Sequence, residues 1–145
     1  MTATTGKLLL DSNIIIYSTS PDHPTLAQFI EDHAPLASAI SYVESLGFHR
    51  LTDRDRLLLE RFFARARMLS IDGSVLHRAV LLRQQRKTSL GDSIVAATAL
   101  VHDLTLVTRN VDDFRWIAGL RLLNPFDSLP ARPLTPPVPP ADGSR

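Results

Sequence analysis

Residues 90–102, LGDSIVAATALVH, are apolar on nearly every side of a helical projection. A helix of that kind has no face to offer water and must be covered all round. It runs directly into LTLVT (104–108), a segment rich in strand-favouring residues. The rest of the chain repeats this alternation. KLLL (7–10) reads as a short buried strand ending at Asp11 and Asn13, PLASAI (35–40) as a second, MLSI (68–71) as a third and LRLLN (120–124) as the last. Between them, DRDRLLLERFFARARML (53–69) places Leu59, Phe62, Phe63 and Ala66 at i, i+3, i+4 and i+7, which is one helix face. SVLHRAVLLRQQ (74–85) reads as another helix, and NVDDFRWIAG (110–119) separates the last two strands. Strands alternating with helices predict an α/β fold, a short parallel sheet flanked by helices on both faces.

The 145 residues suffice for a single domain with a proper core, and 44% apolar against 21% charged residues is an ordinary soluble balance. The absence of cysteine excludes disulfides, thiolate zinc sites and a cysteine nucleophile. A net charge of +1 argues neither for nor against a nucleic-acid partner. MTATTGK carries no apolar signal core and no apolar run approaches membrane length, so a cytoplasmic protein without membrane contact is expected. The domain is expected to span 1–129. In 130–145, six of sixteen residues are proline, which predicts a disordered tail. An inert tail is the simpler reading, docking on a proline-reading partner the other.

Asp11 sits where three leucines stop and three isoleucines are about to begin. Burying a charge there costs several kcal/mol unless something pairs with it. Three further acids hold comparable positions: Glu44 after the second strand, Asp92 at the opening of the buried helix, and Asp113 just past LTLVT. Each has a structural explanation. Ser41-x-x-Glu44 and Ser89-x-x-Asp92 have the shape of a capping box, and Asn110-x-x-Asp113 resembles one. Together they suggest more. In an open parallel sheet the carboxyl ends of the strands share one edge, where ligands bind. Four crowded carboxylates raise one another's pKa, and a hard divalent cation removes that penalty, with oxygen-only ligands suiting Mg²⁺ or Mn²⁺. Capping and ligation are compatible roles.

Other chemistries find little footing. The glycines are scattered singly, with no phosphate loop. His23, His33, His49, His77 and His102 show no metal-ligand spacing, and the serines lack a nucleophile-elbow context. Asp11 as a phospho-acceptor lacks the second aspartate two residues on, where Asn13 stands.

The segments LLLDSNIIIY, ISYVESLGF, LGDSIVAATALVHDLTLVTRN, NVDDF and LRLLNPF follow one another in an order and at separations that resemble the PIN-domain ribonucleases, specifically the VapC-type toxins of bacterial toxin–antitoxin pairs. The resemblance covers roughly residues 7 to 126. It implies a PIN-like fold and a metal-dependent endoribonuclease that leaves a 5′-phosphate and a 3′-hydroxyl, inhibits translation, forms a homodimer and is held by a cognate antitoxin. It further implies that Asp11, Glu44, Asp92 and Asp113 are the catalytic metal ligands for Mg²⁺, with Mn²⁺ as substitute. Ser12, Asn13, Asn110 and Asp112 are expected to surround and orient them, and Asp112, adjacent to Asp113, is the alternative candidate to share or replace its role. The sequence departs from the family where proline and alanine are common and this chain has Gly91 and Ser93, and where threonine is common and this chain has Ser12.

Arginines on the two amphipathic helices are ordinarily a solvated face with intrahelical pairs, such as Arg56 with Asp53 or Glu60. Arg83, Arg86 and Lys87 lie just before Asp92 and are candidate contacts to flanking RNA phosphates. The helices around 24–33 and 53–67 are candidate docking surfaces, because Phe29, Phe62 and Phe63 exceed what one small core need absorb. Two non-enzyme readings stand beside the nuclease: a catalytically silent PIN module whose acids are caps, and a phospho-receiver-like signalling domain with Asp11 as acceptor.

Overall fold

Leu9 and Leu10 are both fully buried, yet consecutive strand residues point to opposite faces of a sheet. The strand that holds them therefore has an apolar layer on each side. The computed structural model describes residues 7–128 and gives that strand as β1 (Leu8–Leu10). Helices α1 (Ser12–Tyr17) and α2 (Pro24–His33) lead to β2 (Leu36–Ser38), and α3 (Ala39–Leu46) and α4 (Asp53–Arg65) to β3 (Arg67–Leu69). Then α5 (Gly73–Gln85) and α6 (Leu90–Val101) lead to β4 (Thr105–Val107), a single 3₁₀ turn spans Val111–Asp113, and β5 (Arg121–Leu123) is followed by α7 (Pro125–Ser128). The five strands are all parallel, in the order β3-β2-β1-β4-β5.

The two faces separate by alternation along the strands. Leu9, Leu36 and Leu106 pack with Val75, Ala79 and Leu82 of α5 and with the buried side of α6. Their neighbours Leu10, Ala37 and Val107 pack with Ile14 and Ile15 of α1, Leu26 and Phe29 of α2, and Leu59 and Phe63 of α4. Eight residues of α6 are buried, as its all-round apolarity requires. The expected short parallel sheet with helices on both faces is the fold observed.

Several local expectations shift. PLASAI is strand only over Leu36–Ser38, because Ser38 turns the chain into α3 and its hydroxyl accepts from the Ile40 amide at 3.2 Å. The isoleucine run after Asp11 is not a strand: Ser12–Tyr17 form a helix whose Ile14 and Ile15 pack on the sheet. Phe29 and Phe63 are core side chains, so they do not form an exposed docking face. Phe62 is half-buried and lines a groove of about 530 Å³ between α2 and α4. Arg56 pairs with Asp53, as the spacing suggested. Among the described residues no helix is long and apolar enough to cross a membrane. The proline-rich segment 130–145 lies outside the described residues.

Candidate metal centre

The strand order places the topological switch between β1 and β4: the chain steps outward from β1 through β2 to β3, then returns to start β4 on the other side of β1. Ligands of open α/β sheets bind outside the carboxyl ends at such a point. Asp11 follows the last residue of β1, and its amide donates to the carbonyl of Val107, the last residue of β4, at 2.9 Å. Thr108, the next residue after β4, is fully buried, and its hydroxyl donates to Oδ2 of Asp11 at 2.8 Å. The Asn110 amide donates in turn to the Thr108 hydroxyl oxygen at 3.0 Å. The first carboxylate is thus aimed by the neighbouring strand.

Glu44 is held differently. It does not open α3, which begins at Ala39, so the Ser41-x-x-Glu44 capping box is not formed and Ser38 caps the helix instead. Glu44 stands one turn further along, where its Oε1 accepts from the Ser12 hydroxyl at 2.6 Å. The Ser41 hydroxyl lies 2.8 Å from that of Ser12, so Ser41 can donate to Ser12 while Ser12 donates to Glu44. Both serines are buried. The other Glu44 oxygen lies against Gly91, so close that a Cβ at position 91 would collide with it and would sit 2.8 Å from the carboxyl carbon. The Gly91 departure from the family pattern is therefore a seat for this carboxylate.

Asp92, in the first turn of α6, is half-buried, and its amide donates to the Ser89 hydroxyl at 3.1 Å, which is the expected cap. Asp113 ends the 3₁₀ turn, exposed, with its carbonyl accepting from the Trp116 indole at 2.9 Å. Asp112 pairs instead with Arg115 at 2.9 Å and points its charge there. Asn13 is half-buried in the first turn of α1, and Asn110 precedes the 3₁₀ turn without a side-chain capping bond.

The electrostatics tie the four acids together. Burial is the main cause that lifts the Asp11 carboxyl from 3.8 to about 6, and the charges of Asp92 and Glu44 add to it. The Thr108 hydroxyl and the Ser12 amide pull the other way. Asp92 is also raised, first by burial and then by the charges of Asp113 and Glu44, against the Ser89 bond. Mutual repulsion contributes to both, as the crowding of acids predicts, and desolvation outranks it. No three of the described His, Asp or Glu side chains stand close enough to form a ready cage. The array is open. Its donors, four oxygen acids with no nitrogen or sulfur among them, nonetheless fit a hard divalent cation in type and in charge.

Of the candidate RNA contacts, the Arg83 Nε donates to the Thr88 carbonyl at 3.2 Å, Lys87 is exposed, and the Arg86 guanidinium lies 5.5 Å from the centre of the Trp116 ring. Since Trp116 is bonded to Asp113, Arg86 is brought beside the site. Sequence reasoning missed Thr108 and Ser41. Thr108 carries a readable signal, a polar residue at the end of an apolar strand, mirroring Asp11 at the end of β1. Ser41 carries none, since its spacing to Glu44 pointed to a cap.

Comparison with known proteins agrees with this fold. The chain resembles a solved toxin–antitoxin complex from Klebsiella pneumoniae at 28% identity, with a TM-score of 0.67 over 82% of this chain and 98% of that one. It shares the fold of VapBC2 from Rickettsia felis, solved with a promoter DNA fragment, at 21% identity and a TM-score of 0.72 over 81% and 97% of the two chains. It also shares that of DNA-bound VapBC from Salmonella typhimurium, at 22% and 0.71 over 82% and 98%. No curated protein matches it. The family profile described as PIN domain matches residues 8–120, and the chain belongs to that family.

Proposed function

We propose that this protein is a metal-dependent endoribonuclease, the toxin of a toxin–antitoxin pair that inhibits translation in the cytoplasm. The observation that carries the reading is the charge coupling of Asp11 to Asp92 and Glu44, and of Asp92 to Glu44 and Asp113, beside the β1–β4 switch point. PIN family membership and the likeness to chains of toxin–antitoxin complexes support it. The capping explanation, on which a silent binding module rests, accounts for Asp92 alone. Asp11 heads α1 without a side-chain capping bond, α3 is capped by Ser38, and the 3₁₀ turn has no side-chain cap.

The four acids would hold Mg²⁺ or Mn²⁺. A divalent cation so held supplies Lewis acidity for an attacking water and for the leaving 3′ oxygen in an in-line displacement. The chain's own residues set the stage. Thr108 orients Asp11, and the Ser41–Ser12 pair fixes one oxygen of Glu44 while Gly91 leaves room for the other. Arg83, Arg86 and Lys87 would contact RNA phosphates beside Asp92 and Asp113. An antitoxin segment would lie in the α2–α4 groove, whose Ala27, Ile30, Leu58 and Phe62 offer apolar contact beside Arg61 and Arg65. Leu76 and Val80, four residues apart and half exposed on α5, support pairing of two copies.

The test is cleavage of a mixed pool of structured RNAs by the purified chain with Mg²⁺ or Mn²⁺. A few single-stranded sites should be cut, EDTA should abolish the cuts, and Asp11→Asn should lower the rate by at least about a hundredfold. Activity surviving both EDTA and Asp11→Asn would refute the metal mechanism. Binding without any cleavage would favour the silent module.

A further inference from the structure

Arg109 directly follows Thr108, the residue that orients Asp11, and precedes Asn110, whose amide is bonded to Thr108. The backbone at 109 is therefore pinned to the acid site from both sides. An arginine whose backbone is anchored beside Asp11 would ordinarily be drawn into an ion pair with a carboxylate. Among the described residues no carboxylate pairs with it; the five ion pairs use Arg54, Arg56, Arg65, Arg115 and Arg121. Its guanidinium lies instead over two aromatic rings, 4.5 Å from the centre of Phe126 and 5.3 Å from that of Tyr17. The two rings meet edge to face at 6.0 Å, and the His23 ring packs on both, at 5.3 Å from Phe126 and 5.7 Å from Tyr17. Three separate elements, α1, the start of α2 and α7, thus build a seat for one exposed cation.

A ring face holds a guanidinium through its flat side and leaves the in-plane N–H donors to other acceptors. Those donors form a fork matched to two oxygens of a phosphate. The arrangement recurs at a second arginine: Arg86 lies over Trp116, and Trp116 is bonded to the carbonyl of Asp113. Two arginines seated on rings therefore bracket the segment that carries Asp113. A strand of nucleic acid approaching an open array of acids needs positive charge beside them, and a cation that does not neutralise the acids leaves them free for metal.

We propose that Arg109, seated on Phe126 and Tyr17, is a phosphate contact for single-stranded RNA at the carboxyl end of β4, beside Asp11. This rests on the ribonuclease reading. The probe is a labelled single-stranded RNA of randomised sequence, its binding followed by fluorescence anisotropy in EDTA at two salt concentrations, with cleavage in Mn²⁺ measured in parallel. Arg109→Gln should weaken binding roughly five- to tenfold and flatten the dependence of log affinity on log salt by about 0.7, the share of one phosphate contact on a single strand. In cleavage it should raise KM with kcat little changed. Arg109→Lys should recover part of the loss, and Phe126→Leu, which removes a ring but keeps the arginine, should show a smaller loss of the same kind. Arg121→Gln removes an equal charge at the amino end of β5, on the opposite edge of the sheet, and serves as the control. Arg109→Gln indistinguishable from Arg121→Gln would overturn the contact, as would a wild-type chain that does not bind RNA. A wild type that binds through Arg109 yet never cuts would overturn the nuclease reading and leave the contact standing.

Discussion

The Thr108 hydroxyl donates to Oδ2 of Asp11 at 2.8 Å, joining residues 97 positions apart at the ends of the two strands that meet at the switch point. The bond is buried, and it opposes the lift that burial gives the Asp11 carboxyl. Thr108→Val keeps the shape of the side chain and removes the hydroxyl, leaving Oδ2 of Asp11 and the Asn110 amide each short of a partner. The variant should lose about 1–3 kcal/mol of stability in chemical denaturation. The acid limb of its pH–rate profile should move to higher pH, because a force holding the carboxylate ionised is gone. A profile that stays in place would deny Thr108 this role.

Asp11 itself makes a pH-dependent cost. Its carboxyl titrates near 3.8 unfolded and near 6 folded without metal, so between those values the folded chain holds the proton more tightly. Stability should therefore fall as pH rises through that window, by on the order of 3 kcal/mol, and remain reduced above it. Asp11→Asn removes the titration, and its amide oxygen can still accept from Thr108. In EDTA the variant should melt higher than wild type at pH 8 and differ little at pH 4. The reverse order at pH 8 would mean that the ionised carboxylate stabilises the apo fold.

The parts that were legible in the sequence are those fixed by periodicity. The all-apolar stretch of α6, the i, i+3, i+4 face of α4 and the short apolar runs of β1 and β4 each specify one environment, and they found it. The helix at Ser12–Tyr17 was not legible, because three consecutive isoleucines favour a strand locally, and only packing of Ile14 and Ile15 against the sheet overrides that preference. Glu44 was legible as a site candidate but not in its place. Two serines lie within reach as caps, and the choice of Ser38 over Ser41 depends on where β2 ends. Asp112 and Asp113 cannot be told apart by spacing; only tertiary surroundings distinguish them, Asp112 pairing with Arg115 and the charge of Asp113 acting on Asp92.

Phe63 marks a second correction with a measurable consequence. It is buried among Leu59, Phe29 and Ile15, with Phe62 edge-on at 5.0 Å, so it belongs to the core under α4. Phe63→Ala should cost about 3–5 kcal/mol in urea unfolding. Phe62→Ala, at the rim of the α2–α4 groove, should cost clearly less. Equal losses would place both rings in one fully packed layer.

Gly91 allows stability and function to be pulled apart. It is the second residue of α6, where alanine is favoured over glycine by up to about 1 kcal/mol. What a Cβ there would meet is the carboxylate of Glu44, the end of a flexible side chain that can swing away at small cost to the fold. Gly91→Ala should therefore keep or slightly raise the apo melting temperature. The swing takes Glu44 off the Ser12 hydroxyl and out of its place beside Asp11 and Asp92. The rise in melting temperature that Mg²⁺ or Mn²⁺ gives the wild type, as expected for an ion that binds only the folded chain, should shrink or vanish in the variant. RNA cleavage should fall at least about tenfold, less than the loss expected for Asp11→Asn, since Glu44 is displaced but still present. A Gly91→Ala protein with unchanged metal response and unchanged cleavage would show that the Glu44 carboxylate has no fixed place in the site.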